Sequence, residues 1–172
     1  MSHVASLVAL KEELYSRTMQ VAPLGPRDKL MWAPVPQALT LGQILRHMHR
    51  SELNRMRFLN GEIDSKTYYV LRHGEGKARD LKAALGEVME LDAELAAFRD
   101  AHAYTLQILR GMTDADLLRP TEWGGKPRST LEFFLLLFEH EAHHRGQVAT
   151  YLRLLGVERP EGPDWRGLVY GR

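Results

Sequence analysis

The stretch F-F-L-L-L-F-E-H-E-A-H-H-R-G-Q, residues 133–147, decides the fold of this chain. Its run of apolar residues predicts a helix that is buried nearly all round. His140 and His144 follow four positions apart, which places the two imidazoles above each other on one helical face. Burying two imidazoles in an apolar wall costs free energy unless a partner satisfies them, and a divalent metal ion would do so.

Three further segments of the chain predict long helices around this one. Apolar residues recur in them with the helical period. We expect the four helices at residues 2–21, 41–60, 79–112 and 130–155, the third kinked or interrupted near Gly86. Four helices with two long connections predict an all-α four-helix bundle, and 172 residues suit a single domain spanning residues 1–172.

Capping residues mark where two of these helices begin and end. Thr40 is a suitable N-cap for the second helix, and Gly61 closes it in the left-handed region. Either Ser129 or Thr130 caps the fourth helix, and Gly156 ends it. These boundaries place His140 and His144 well inside the fourth helix.

The connections between the helices are predicted from their breakers. Residues 22–39 and 120–127 are rich in proline and glycine and predict irregular crossings, as does the tail after Gly156. Residues 62–78 leave two readings open, a short helical turn or an extended piece. Few segments of the chain alternate as strands do.

The fourth helix has a second apolar face that points away from the histidines. Its members are Phe134, Leu135, Phe138 and Ala142. A helix that is apolar on two sides needs two partners. We therefore expect this face to form a homodimer interface.

Composition excludes several classes of function. The chain has 23 basic and 22 acidic residues, a net charge of +1, so it lacks the basic footprint of a nucleic-acid binder. Its lack of cysteine excludes disulfides, thiolate metal sites and a cysteine nucleophile of its own. Neither a signal peptide nor an apolar run long enough for a bilayer is present, so we expect no membrane partner and a cytoplasmic location.

A catalytic metal site commonly has three protein ligands and an open position, so a third histidine is needed. His47 and His49 are the candidates on the second helix, and they point about 200° apart, so one of them alone can face inward. His47 fits better because it follows Ile44 by three positions, on a stripe with Ser51 and Asn54. His143 lies about 100° from each proposed ligand and is expected at the rim.

Residues 140–144 also match the motif His-Glu-x-x-His, with Glu141 in the general-base position of a zinc protease. The surrounding sequence disfavours this interpretation, because the extended protease motif needs glycine and histidine where this chain has Gln147 and Thr150. Glu141 and Arg145 are spaced to form a helix-surface ion pair instead. Gln147 is placed to hydrogen-bond the free nitrogen of a histidine ligand.

Three segments together resemble the DinB/YfiT-like family of metal-binding four-helix bundles. They are L-G-Q-I-L-R-H-M at 41–48 with Glu52, W-G-G-K-P at 123–127, and H-x-x-x-H-R-G-Q at 140–147 followed by Y-L-R-L-L-G at 151–156. The resemblance covers most of the chain, and the His-Arg-Gly-Gln segment is its most specific part.

The resemblance implies a metal triad of His47, His140 and His144, and a homodimer. The metal would be a divalent ion, zinc or nickel first and iron or manganese next. It further implies a thiol-dependent S-transferase that joins a small thiol such as bacillithiol or mycothiol to an electrophile. Two alternatives stay open: a non-catalytic metal-binding stress protein, and a metal-dependent hydrolase with Glu141 or Glu52 as its base.

Candidate pocket residues complete the expectation. Trp32, Trp123 and Tyr151 are large aromatic residues that could line a substrate pocket. Arg145 or Arg46 could hold an acidic group of the thiol.

Overall fold

The computed structural model describes residues 2–73, 80–123 and 126–157, without the side chains of 72, 73, 122 and 123. The predicted W-G-G-K-P segment and the tail after residue 157 therefore lie partly or wholly outside the described residues. The helices are α1 (His3–Val21), α2 (Leu41–Leu59), α3 (Ser65–His73), α4 (Leu81–Leu85), α5 (Leu91–Arg110) and α6 (Thr130–Leu154). The strands are β1 (Pro120–Trp123) and β2 (Lys126–Ser129).

The four longest of these helices form a ring in which each contacts two neighbours. Helix α1 packs against α5 and α6, and α2 packs against the same two helices from the other side. Helices α1 and α2 therefore face each other diagonally across the bundle. This arrangement confirms the predicted all-α bundle fold.

The predicted helix ends are confirmed by the backbone. The Thr40 side chain accepts from the backbone N–H of Gln43, whose own side chain accepts from Thr40 in return, so α2 begins with a capping box. Ser129 rather than Thr130 caps α6 in the same reciprocal way. Gly61 and Gly156 have φ of 74° and 73°, the left-handed conformation that ends a helix.

The connections resolve two open expectations and add one element that the sequence did not indicate. The helical segment 79–112 is interrupted at Gly86 as expected, because α4 ends there, with φ of 66°, and α5 begins five residues later. Residues 65–73 of the ambiguous stretch form helix α3. The crossing at 120–127 contains an antiparallel ribbon in which Pro120 pairs with Ser129, and a prolyl residue in each four-residue strand hides the strand pattern.

The prediction that the second apolar face of α6 forms an interface between copies is wrong. Phe134 and Phe138 are buried inside the chain, in a cluster that α1 and the end of α5 complete. Of the four residues assigned to that face, Leu135 is the one with a largely exposed side chain, at 47%. The homodimer stays a prediction, without the surface that motivated it.

A buried ion cluster lies at the centre of the bundle. The Lys11 Nζ on α1 is 2.8 Å from Glu52 Oε1 on α2 and 2.6 Å from Glu141 Oε2 on α6. Each carboxylate also accepts a hydrogen bond from a threonine hydroxyl. Thr18 donates to Glu141, and Thr105 on α5 donates to Glu52, each at 2.7 Å. The cluster therefore joins all four long helices.

Protonation in this cluster follows from its burial and its charges. Burial raises the pKa of Glu52, and the nearby Glu141 carboxylate raises it further, against the lowering effect of Lys11. Burial by itself lowers the pKa of Lys11, but the two carboxylates outweigh it and the net pKa is raised. Lys11 thus keeps its positive charge inside the core.

The start of α2 is held close to the chain that precedes α5. The Gly42 N–H donates to the Leu30 carbonyl at 2.8 Å, and a Cβ added at Gly42 would lie 2.7 Å from the Val88 side chain. Gly146 on α6 is exposed and would meet nothing within 4 Å. Glycine is therefore required by packing at position 42 but not at position 146.

No described helix combines the length and the apolar character needed to cross a membrane.

Gly42→Ala should lower the free energy of unfolding by about 1–3 kcal/mol, because the new methyl group overfills a closed contact. Gly146→Ala is the matched control and should raise it by about 0.5–1 kcal/mol, since alanine is the better helix former at an open position. Urea unfolding followed by circular dichroism measures both. Equal effects of the two substitutions would contradict the close approach at Gly42.

Lys11→Met should lower the free energy of unfolding by roughly 3–5 kcal/mol, because it leaves two carboxylates without their buried cation. Adding Glu52→Gln to it should recover part of the loss. Lys29→Met, at an exposed lysine with a surface ion pair to Asp28, should change stability by less than about 1 kcal/mol. Chemical unfolding of the three variants tests this, and a Lys11→Met loss no larger than that of the control would disprove the structural role of the cluster.

Candidate metal centre

Three imidazoles from α2 and α6 converge at one point of the bundle. The His140 Nε2 lies 3.0 Å from His47 Nε2 and 3.2 Å from His144 Nε2. The ligand atoms of all three lie within 4.8 Å of one another. His47 and His144 are buried and His140 is half-buried. The structure thus brings together the three histidines that the sequence singled out as a triad.

His47 reaches this point because the opposite side of α2 is tied to α5. His49 and Arg46 both contact Glu94, His49 through its Nε2 at 2.6 Å and Arg46 through its Nε at 3.0 Å. Arg46 also donates to the carbonyls of Leu85 and Glu87. The two neighbouring histidines therefore point in different directions, as their helical positions predict, and His49 is occupied by its contact with Glu94.

Gln147 fixes the tautomer of His144. Its Oε1 lies 2.7 Å from His144 Nδ1 and, as a carbonyl oxygen, can only accept a hydrogen bond. The His144 proton must therefore be on Nδ1, which leaves the Nε2 lone pair directed at the other two histidines. The predicted role of Gln147 as the support of a ligand agrees with this contact.

The surroundings favour the neutral, ligating form of His144. Burial lowers the pKa of His144 more than the contact with Gln147 raises it, and the nearby His143 and Arg55 lower it as well. His143 itself is exposed at the rim, with its ring 4.9 Å from that of His144.

The spacing of the three nitrogens suits a metal ion better than a set of hydrogen bonds. An imidazole nitrogen holds either one proton or one lone pair, so His140 Nε2 cannot form good hydrogen bonds to two other Nε2 atoms at once. Ligand nitrogens about 2.0–2.1 Å from a tetrahedral zinc ion are separated by a little over 3 Å. The donor set of three imidazoles therefore fits one divalent ion.

The two glutamates considered as bases do not join the triad. The Glu141 and Glu52 carboxylates bind Lys11 and the two threonine hydroxyls of the central ion cluster. The expected surface pair of Glu141 with Arg145 is wrong, because Glu141 is buried and Arg145 donates to the Leu14 carbonyl at 3.3 Å. Among the described residues, the group able to hold a metal contains histidines alone.

Two of the three aromatic residues expected to line a pocket pack against each other in the core. Trp32 and Tyr151 meet edge to face, with ring centroids 5.5 Å apart, and belong to the core cluster around the start of α2. The Tyr151 hydroxyl donates to the Leu39 carbonyl at 3.2 Å. The Trp123 side chain lies outside the described residues.

A groove opens beside His47 between α2 and the pair α3 and α4. It has a volume of about 340 Å³ including the part open to solvent. Its lining consists of His47, Arg50, Ser51, Asn54, Tyr68, Leu71, Leu81, Ala84 and Leu85. Sequence reasoning placed Ser51 and Asn54 on the stripe of His47 but missed Arg50, which lies three positions after His47 and so shares its face.

Comparisons with known proteins agree with this architecture. The family model described as the DinB superfamily matches residues 11–148. A DinB-like protein from Bacillus cereus ATCC 10987 has a similar structure, with a TM-score of 0.67 and 20% identity over 88% of this chain and 92% of that one. A DinB-like protein from Bacillus subtilis gives a TM-score of 0.64 and 18% identity over 93% and 97%. The comparison with curated proteins gives no match.

Proposed function

The chain belongs to the DinB superfamily, and we propose that it is an enzyme that binds one divalent metal ion through His47, His140 and His144. The observation that carries the proposal is the convergence of three Nε2 atoms, one of them fixed in its ligating tautomer by Gln147. Such an ion retains its full double positive charge and lowers the pKa of a bound thiol or water. Zinc or nickel is the proposed metal, ahead of iron or manganese.

The proposed reaction is the transfer of sulfur from a small thiol to a carbon electrophile. The thiol loses its proton, a carbon–sulfur bond forms, and either a halide leaves or an epoxide ring opens. A chain without cysteine must take its sulfur nucleophile from a cosubstrate, and thiols of the bacillithiol and mycothiol type suit this role. The groove beside His47 offers the substrate a place next to the histidines.

The position of the carboxylates favours this reaction over hydrolysis. A hydrolase would use a base near the histidines to take a proton from water. Glu52 and Glu141, the two carboxylates that the sequence offers as bases, are both held by Lys11. A thiol is more acidic than water and needs less help from a protein base. A non-catalytic metal-binding protein is the remaining alternative, and the thiol assay below distinguishes it.

Metal affinity should depend on the triad and on Gln147. Calorimetry should show one equivalent of Zn²⁺, Ni²⁺ or Co²⁺ bound by the wild type, with His47→Ala, His140→Ala and His144→Ala each weakening affinity by about 100-fold or more. Gln147→Leu should weaken it by about 10- to 100-fold, because His144 loses its oriented tautomer.

His143→Ala is the matched control for these variants, since it removes an exposed imidazole on the same helix. Its affinity should stay within about twofold of the wild type. Wild-type affinity in His144→Ala would overturn the proposed ligand set.

Thiol transfer is tested with metal-loaded protein, each of bacillithiol, mycothiol and glutathione, and 1-chloro-2,4-dinitrobenzene as the electrophile. We expect the S-conjugate to form with at least one thiol at a rate clearly above that of metal-free His144→Ala, measured by absorbance and mass spectrometry. If every thiol reacts no faster than this control while one metal ion is bound, the protein is a non-catalytic metal binder.

A further inference from the structure

We propose that the groove beside His47 is a subsite for a small organic carboxylate, with Arg50 as the residue that binds the carboxylate group. The subsite rests on the proposed function in so far as it names a class of substrate for the metal centre. It deepens that function because it predicts that the thiol or its electrophile is an acid with a short apolar body.

The groove and the metal centre share a wall. His47 belongs to both, and Arg50, Ser51 and Asn54 follow it three, four and seven positions later. Residues at these spacings lie on the same face of a helix. A molecule in the groove therefore lies along α2 with one end beside the histidines.

The charge of the groove selects an anion. Among the described residues, its lining contains no acidic side chain, and the one formal charge is that of Arg50. Arg46, one turn earlier, is neutralised by Glu94, whereas the contact recorded for Arg50 in the described part of the chain is a 3.4 Å one to the Ala84 carbonyl. Burial lowers the pKa of Arg50, and the positive charge of Arg46 lowers it further, against the raising effect of Glu94. A bound anion would offset both effects.

A buried hydroxyl group in the lining independently indicates a polar ligand. Ser51 is only 7% exposed, and its Oγ has no hydrogen-bond partner among the described residues. A buried hydroxyl without a partner is costly, so such groups usually have one. Ser51 can donate to a carboxylate oxygen, and the Asn54 amide on the same face offers a second donor.

The rest of the lining sets the shape and charge of the ligand. Leu71 on α3 and Leu81 and Leu85 on α4 form an apolar wall opposite α2. One planar guanidinium matches the single charge and the two oxygens of a carboxylate, whereas a doubly charged phosphate would find no second cation among the described lining residues. A monocarboxylate with a short hydrocarbon chain fits both the charge and the wall.

Binding of 3-mercaptopropionate and of its methyl ester to the Co²⁺-loaded protein tests the subsite. The thiolate-to-cobalt absorption band reports sulfur at the metal, and calorimetry gives the affinity. We expect Arg50→Gln to weaken binding of the acid about tenfold and to leave the ester unchanged, because a charge-assisted hydrogen bond is lost. Arg50→Lys should weaken binding of the acid less than Arg50→Gln does. Ser51→Ala should weaken binding of the acid about threefold to fivefold.

Arg99→Gln is the matched control, since it removes an exposed arginine of α5 that does not line the groove. It should leave both affinities at wild-type values. An acid-to-ester affinity ratio that Arg50→Gln does not change would overturn the subsite.

Butyrate binding to the metal-free protein separates failure of the subsite from failure of the proposed function. Butyrate that binds in an Arg50-dependent way, while no thiol produces the cobalt band, supports the subsite and contradicts thiol chemistry. A cobalt band of equal strength for acid and ester in the wild type and in Arg50→Gln supports thiol binding and contradicts the subsite.

Two further assays distinguish whether the carboxylate belongs to the thiol or to the electrophile. Chloroacetate and chloroacetamide are compared as electrophiles with the uncharged 2-mercaptoethanol. A rise in KM for chloroacetate alone in Arg50→Gln assigns the carboxylate to the electrophile. An effect confined to 3-mercaptopropionate, with chloroacetamide as the electrophile, assigns it to the thiol, and no effect in either assay contradicts a substrate role for Arg50.

Discussion

The ion cluster of Lys11, Glu52 and Glu141 is the constraint on which the rest of the structure depends. Lys11 reaches from α1 to Glu52 on the diagonally opposite helix and to Glu141 on the adjacent one, at 2.8 and 2.6 Å. Buried charges tolerate little displacement, because a lost partner leaves an uncompensated charge in the core. The cluster therefore sets how far α2 and α6 are shifted along each other. Since His47 and His140 lie on the same two helices, their separation of 3.0 Å depends on that shift.

The cluster also holds the carboxylates of Glu52 and Glu141 apart from the triad. Both carboxylates contact Lys11 and accept hydrogen bonds from Thr18 and Thr105, so neither is available as a ligand. A site with only neutral imidazoles leaves the charge of a bound cation undiminished, which is the property that acidifies a thiol. The packing of the bundle and the chemistry of the proposed site thus have a common origin in one buried lysine.

The sequence predicts the long helices and the pair His140 and His144 because both are local patterns, whereas His47 on another helix is added by its place on the α2 stripe and by the family resemblance. Apolar period, capping residues and the spacing of His140 and His144 all act within one helix. Lys11 was missed although it lies on the buried stripe of α1 with Leu7 and Leu14, where a charged residue signals an internal ion pair. The groove residue Tyr68 was beyond prediction, since its place depends on how α3 packs against α2, and that contact leaves no periodic signal.

Glu141 shows that a sequence motif can be interpreted only together with the helices that pack around it. It directly follows His140, so the 100° step of the helix turns its side chain from α2, where the triad lies, towards α1, where Lys11 lies. In the protease arrangement the same letter supplies a base to the metal-bound water. Here the neighbouring helix carries a lysine and a threonine, which bind both carboxylate oxygens. The role of a glutamate next to a histidine ligand therefore depends on which side chains the adjacent helix places beside it. In this chain Lys11 and Thr18 on α1 bind the Glu141 carboxylate, so it forms part of the buried ion cluster.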